Sequence, residues 1–326
     1  MPIATDITGG GLSWGGAHFG LSPDGLLVHL RGAGATNSLL VWRDREGTPL
    51  ETLGGAAGYF EPSLSHDGRF LAVSIGHTSN DIWIHDLERD VRTRFTFDPA
   101  DDRHPVWSPD DQRIAFASSR ETVGDIYVRP ASGTGDATLL HSTGTNINLY
   151  DWSSDGRWIL YSRMSLGEDI WDVMAYDSVE DVSVPIAAGP FSQEFASLSP
   201  DGRWLAFSST ESGRPEIYVQ PFPEGGGRWM VSTEGGRHPQ WTADGRELLF
   251  MSVGETTVWT VSVSGDTSPR FGTPRELYPI APKSGTGRLF SVAADGQRLL
   301  VNERLPMDRN DQGASLVQNW TRILER

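Results

Sequence analysis

A chain of 326 residues that is 37% hydrophobic can bury a substantial core, and its 12 Trp and 13 Phe argue against disorder. It has no cysteine, which excludes a disulfide framework, a thiolate nucleophile and any Cys-ligated metal. A formal charge of −16, with Arg supplying all the cations except Lys283, sets the surface against phosphate backbones and so against nucleic acid as a partner.

The chain opens with "PIATDI" (residues 2–7), read as a single strand. The surrounding "MPIATDITGGGLSWGG" has no basic segment followed by an apolar one, so no signal peptide is expected. No apolar run approaches the roughly 18 residues of a membrane span, and no membrane insertion is expected. From residue 21 onward one turn-and-strand phrase recurs: "LSPDGLL" (21–27), "LSHDGRFLAVS" (64–74), "WSPDDQRIAFASS" (107–119), "WSSDGRWILYS" (152–162) and "LSPDGRWLAFSS" (198–209). The turn aspartates are Asp24, Asp67, Asp110, Asp155, Asp201, Asp244 and Asp295, spaced 43 to 51 residues apart. In such a turn Pro presets φ, Asp bonds the backbone ahead of it and Gly tolerates φ > 0.

Each unit has the same order. A strand ends at the Trp or Leu before the turn, and a second strand such as "RIAFASS" (113–119) follows it. A third strand comes after a loop: "SLLVWRD" (38–44), "DIWIHDL" (81–87), "DIYVRPA" (125–131), "DIWDVMAYD" (169–177), "EIYVQPF" (216–222) and "TVWTVSV" (257–263). A more polar fourth strand closes the unit, for example "RTRFTF" (92–97) or "ATLLHS" (137–142). Alternating β-branched and aromatic residues support these strands.

Self-similarity at a period in the low forties matches the blade of a propeller. The expectation is an all-β, seven-bladed propeller of four-stranded antiparallel blades in a single domain spanning residues 1–326. The N-terminal strand at about 2–7 would complete the last blade, about 287–320, which removes two exposed edges at once. Six blades is the alternative, if the first or last unit is degenerate.

The phrase resembles the TolB-type repeat, a WD40-like unit with the signature "WSPDG(R)xIAF(x)S…DIYV", over about residues 17–320. A narrower likeness, carried by residues 39–47, 96–110, 201–223 and 317–324, is to the C-terminal sensor propellers of bacterial membrane-bound serine/threonine kinases. That resemblance implies an isolated sensor or interaction module in an extracytoplasmic or periplasmic setting. No Gly-rich phosphate loop with a kinase-type lysine is present, so no phosphoryl transfer is implied here.

The first strand of each blade lines the central channel, and the residues just before it ring one mouth. Counting back from each turn gives His18, Glu61, His104, Leu149, Phe195, His238 and Leu289, and one position earlier Ala17, Phe60, Arg103, Asn148, Glu194, Arg237 and Arg288. The expected ligand-binding residues are therefore His18, Phe60, Glu61, Arg103, His104, Asn148, Glu194, Phe195, Arg237, His238 and Arg288. The partner would be a protein, a peptide or a small ligand, bound by a monomer without a cofactor.

Imidazoles with a carboxylate also suit a transition metal, which raises the alternative of a metal-assisted lyase or hydrolase at the same mouth. No α/β domain is expected that could hold a nucleophile elbow, which argues against a serine hydrolase, and no catalytic residue is assigned. A purely structural scaffold is a third reading. The turn aspartates are explained by local backbone bonding.

Overall fold

The computed structural model describes residues 9–10, 16–17, 19–21, 26–30, 37–76, 79–165, 167, 170–265, 268–282, 287–305 and 314–318. Two compact units are distinguished: one runs Ser38–Arg304, and the other combines the two chain ends.

The larger unit is a propeller with six described blades. Blade 1 consists of Tyr59–Leu64, Phe70–Gly76, Asn80–Asp86 and Val91–Arg94. Blade 2 consists of Asp102–Trp107, Arg113–Ser118, Asp125–Pro130 and Thr138–Ser142. Blade 3 follows with Ile147–Trp152, Trp158–Met164, Trp171–Asp177 and Val182–Ala187. Blade 4 has Gln193–Leu198, Trp204–Ser209, Glu216–Pro221 and Trp229–Met230. In blade 5, Arg237–Trp241, Glu247–Met251 and Thr257–Ser264 share an outer edge split between Arg270–Phe271 and Arg275–Pro279. Blade 6 joins Phe290–Val292 and Leu299–Arg304 to Ser38–Arg43 and Pro49–Ala57 from the start of the unit.

The middle strands of each blade are packed on both faces, which is why they read as almost continuous apolar runs. Ile114, Ala115 and Phe116 of blade 2 are fully buried, and Ile114 and Phe116 join Ala72, Ile82 and Phe95 of the preceding blade in one cluster. The core is thus a set of layers between neighbouring blades. The fourth strands face solvent on one side, and Val91, Leu139 and Val182 are exposed there.

The recurring turn is held by its own side chains. In blade 4, Ser199 Oγ donates to Asp201 Oδ1 (2.6 Å), Asp201 Oδ1 accepts from Arg203 N–H (3.1 Å), and Ser199 Oγ accepts from Trp204 N–H (3.0 Å). Blades 1, 2 and 3 repeat this at Ser65–Asp67, Ser108–Asp110 and Ser153–Asp155, and blade 5 substitutes Thr242–Asp244. Gly202, at φ 72°, completes the turn where a side chain would be strained.

The expected seven blades are corrected to six, and the expected closure is corrected with them. The inner strands neighbour one another in order from blade 1 to blade 6, and Phe290–Val292 of blade 6 packs against Tyr59–Leu64 of blade 1, which closes the ring. Ser291 Oγ donates to Pro62 O (2.7 Å) and Asn302 Nδ2 to Tyr59 O (2.9 Å) across that seam.

The strand at 38–43, expected in the first blade, instead joins the last together with the strand at 49–57. Ser38–Arg43 pairs with Leu299–Arg304 over its full length, from Arg304↔Ser38 to Leu299↔Arg43. Arg43 also forks onto Glu303, with Nη2–Oε2 at 2.9 Å. The expected closing strand at 2–7 lies outside the described residues.

The first repeat is therefore divided. Its hairpin, Phe19–Leu21 with Leu26–Leu30, pairs with Ala314–Gln318 in a three-stranded antiparallel sheet in the smaller unit. Two short strands, Gly9–Gly10 and Gly16–Ala17, also pair there.

Candidate ligand-binding channel

Each inner strand from blade 1 to blade 5 carries a β-bulge at the same place. The register shifts between Phe60 and Ser63, Arg103 and Val106, Leu149 and Asp151, Glu194 and Ser197, and Arg237 and Gln240. In four of them the bulged residue has a left-handed backbone: Glu61 (φ 51°), His104 (φ 55°), Phe195 (φ 56°) and His238 (φ 53°). Such a conformation costs a residue with a Cβ about 1–2 kcal/mol, and bulges of this kind re-aim a side chain.

All four side chains are buried. The Glu61 carboxylate accepts from Ser74 Oγ (2.8 Å) and from His104 N–H (3.1 Å), and the His104 ring lies 3.6 Å from it. Gly287 leaves room for Glu61, since a Cβ there would collide with Glu61 Cγ. His238 Nε2 meets Glu255 Oε1 at 3.2 Å, and its ring packs 3.8 Å from that of Phe195. Burial lowers the proton affinity of both His104 and His238, opposed in each case by the neighbouring glutamate.

A cavity of about 420 Å³ lies within the ring of inner strands. Its lining runs from Phe195, His238 and Arg288 to the turn residues His66, Pro109, Ser154, Pro200 and Ala243. Of the expected site residues that are described, these first three alone line it.

The other expected residues lie elsewhere. Phe60 is half-buried, and Arg103 is exposed and paired with Asp101 (2.8 Å). Asn148 is buried, with no hydrogen-bond partner for Nδ2 among the described residues. Glu194 is half-buried, and burial raises its proton affinity against the pull of Arg237. The Arg237 guanidinium lies 5.8 Å from the Phe195 ring centre. His18 lies outside the described residues.

His104 and His238 come from blades 2 and 5, which the sixfold order puts on opposite sides of the ring, and each is tied to its own glutamate. Among the described residues no three His, Cys, Asp or Glu are grouped to hold a metal ion.

Two charged side chains meet in the cavity from opposite walls. Arg288 precedes the inner strand of blade 6 and reaches across the ring. Its Nη1 donates to Ser63 Oγ (3.0 Å) in blade 1, and its Nη2 donates to Tyr150 O in blade 3. Asp151, next to Tyr150, points its carboxylate into the same space, where Oδ2 accepts from Leu198 N–H (2.8 Å) and Oδ1 from Trp152 N–H (2.9 Å). Burial raises the proton affinity of Asp151, opposed by the Leu198 N–H and by the Arg288 charge.

Asp151 was not among the expected residues. Its sequence sign is the acid inside the apolar inner strand "LYDW" (149–152). At the matching place the other blades carry Ser63, Val106, Ser197, Gln240 and Ser291, all uncharged.

The comparisons agree with this architecture. Residues 51–189 match the family model described as the TolB beta propeller domain. The chain is 28% identical over 158 residues to "Uncharacterized protein Atu1656" of Agrobacterium fabrum, covering 44% of this chain and 53% of that one. It is likewise 28% identical over 185 residues to "Uncharacterized peptidase YuxL" of Bacillus subtilis, covering 44% of this chain and 28% of that one. The chain thus spans about half or less of the length of these curated relatives.

Among solved structures, a putative TolB from Agrobacterium tumefaciens superposes with a TM-score of 0.68 at 17% identity, over 85% of this chain and 99% of that one. Its repeat, its blades and these matches agree: residues 51–189 are similar to the TolB beta propeller domain, and the chain has a TolB-like β-propeller fold.

Proposed function

We propose that this protein is a non-catalytic binding module that takes its ligand into the central channel, in the manner of a sensor or interaction domain working outside the cytoplasm. The observation that carries the reading is the axial cavity of about 420 Å³, lined by inner strands and holding two charged side chains. Its volume falls within the roughly 300–1,000 Å³ of small-molecule sites, and its lining mixes apolar walls with a few polar groups, as such sites do. The TolB-type fold supports binding as the general role, and the likeness to kinase sensor propellers supports the setting.

The test is a thermal-shift screen of a broad small-molecule library against the native protein and a Ser197→Trp variant. Ser197 lines the cavity, so an indole there fills it. The expected result is a set of compounds that raise Tm in the native protein and lose that effect in the variant. A set of stabilisers that act equally on both proteins would place binding elsewhere and overturn the reading.

A further inference from the structure

Resting on the channel reading above, we infer that the cavity recognises the head group of a free α-amino acid, with its ammonium on Asp151 and its carboxylate on Arg288. Arg288 is held by neutral acceptors only, the Ser63 hydroxyl and the Tyr150 carbonyl. Asp151 is held by two backbone N–H groups. Arg288 Nη2 sits on the carbonyl of Tyr150, the residue next to Asp151, and both side chains line the cavity, yet among the described residues no hydrogen bond or ion pair joins the two. Buried opposite charges normally pair directly, because taking each out of water is costly.

Charges that are near each other and unpaired match a ligand whose own opposite charges sit side by side. An α-amino acid has that arrangement, with ammonium and carboxylate on one carbon. The donor and acceptor counts also fit. Arg288 has five N–H donors and spends two of them on the protein, which leaves a fork for a carboxylate. Each carboxylate oxygen of Asp151 accepts one backbone bond and keeps a lone pair for an ammonium.

The rest of the lining suits the body of such a ligand. Trp107, Trp241, Leu198 and Phe195 form apolar wall, while Ser197 and Gln240 add uncharged polar groups. The acidic surface of the chain disfavours a simple anion, and a zwitterion carries no net charge for it to repel.

The test is calorimetry on the native chain with the common free α-amino acids, their N-acetyl and carboxamide derivatives, and dipeptides. The expected result is saturable binding of one or more free amino acids. Acetylation or amidation should each weaken it about tenfold or more, since either leaves a buried charge without its partner. Asp151→Asn and Arg288→Met should weaken it likewise. Because Arg288 braces three blades, its variant serves only with an unchanged Tm, and the ligand derivatives carry the test without it.

No saturable binding of any amino acid, or binding that survives acetylation and amidation, would overturn the inference. Tighter binding of dipeptides than of their component amino acids would overturn the α-amino acid assignment in favour of a peptide. The Ser197→Trp screen separates the outcomes: library compounds lost in that variant, without any zwitterion bound, leave the channel as a binding site and remove only the amino acid.

Discussion

His104 and His238 sit at equivalent bulges with left-handed backbones, and both are buried, which disfavours their charged form. Their proton affinity is lowered below the ordinary histidine value of 6.5, so the unfolded chain takes up protons that the folded one resists. The stability they contribute is complete above that value and is lost as the pH falls below it. The groups facing them are Glu61, Arg103, Asp101 and Arg288 for His104, and Glu255 and Arg237 for His238. Asp102, Asp151 and Glu194 act in the opposite sense, because their raised affinity lets the fold gain protons on acidification. Each histidine is expected to withdraw at most about 1 kcal/mol on going from pH 6.5 to 5.5. Denaturant unfolding of native protein and of a His104→Asn/His238→Asn variant, at pH 7.5 and 5.5, checks this. Asn tolerates the left-handed backbone, and the variant should lose less stability across that interval. Equal losses would show that the two rings do not titrate with unfolding.

The repeated turn is the element whose chemistry was most legible. The string Ser-x-Asp, followed by Gly or in blade 2 by Asp111, encodes a closed set of hydrogen bonds, so residues 198–209 can be matched with 107–119 and 152–162 by their letters alone. Blade 6 has Ala293 where the others carry Ser or Thr, so Asp295 lacks the hydroxyl donor and keeps the Gln297 and Arg298 N–H groups. Asp155→Ala, which strands Ser153 Oγ and the Arg157 N–H, is expected to cost about 1–2 kcal/mol. Asp295→Ala should cost less, and paired chemical denaturation curves would reveal the reverse order if the hydroxyl were idle. The mouth residues were legible as positions but not as a site. A count back from the turn finds Glu61, His104, Phe195 and His238, but it cannot show that the bulges bury Glu61 and His104 against each other and leave Phe195 and His238 on the cavity wall. Asp151 was missed because a single acid in one strand has no periodic signature. Its importance comes from Arg288 arriving from the far wall.

For the whole molecule, periodicity identified the blades but not where the ring is sewn. Seven turn aspartates read as seven blades, because nothing local in "SLLVWRD" says which second strand it will pair with. That choice belongs to the register with Leu299–Arg304 and to the Arg43–Glu303 fork, contacts between residues far apart in sequence. The closure predicts two truncations with opposite results. A chain of residues 38–304 should keep a cooperative thermal transition, since every blade is complete within it. Removing residues 38–57 should abolish that transition, because it bares the buried edge formed by Leu299, Leu300 and Val301. A cooperative melt of the second chain would mean that the ring is not closed by these strands.

The two halves of blade 6 also set a timetable for synthesis. Ser38–Arg43 and Pro49–Ala57 leave the ribosome before the five other blades, and Leu299–Arg304 follows them all. At about 5–20 residues per second, the early strands wait on the order of 10–50 s with a bare edge and no mate. During that interval the nascent chain is a row of blades with sticky ends, most open to mispairing with a neighbouring copy on the same message.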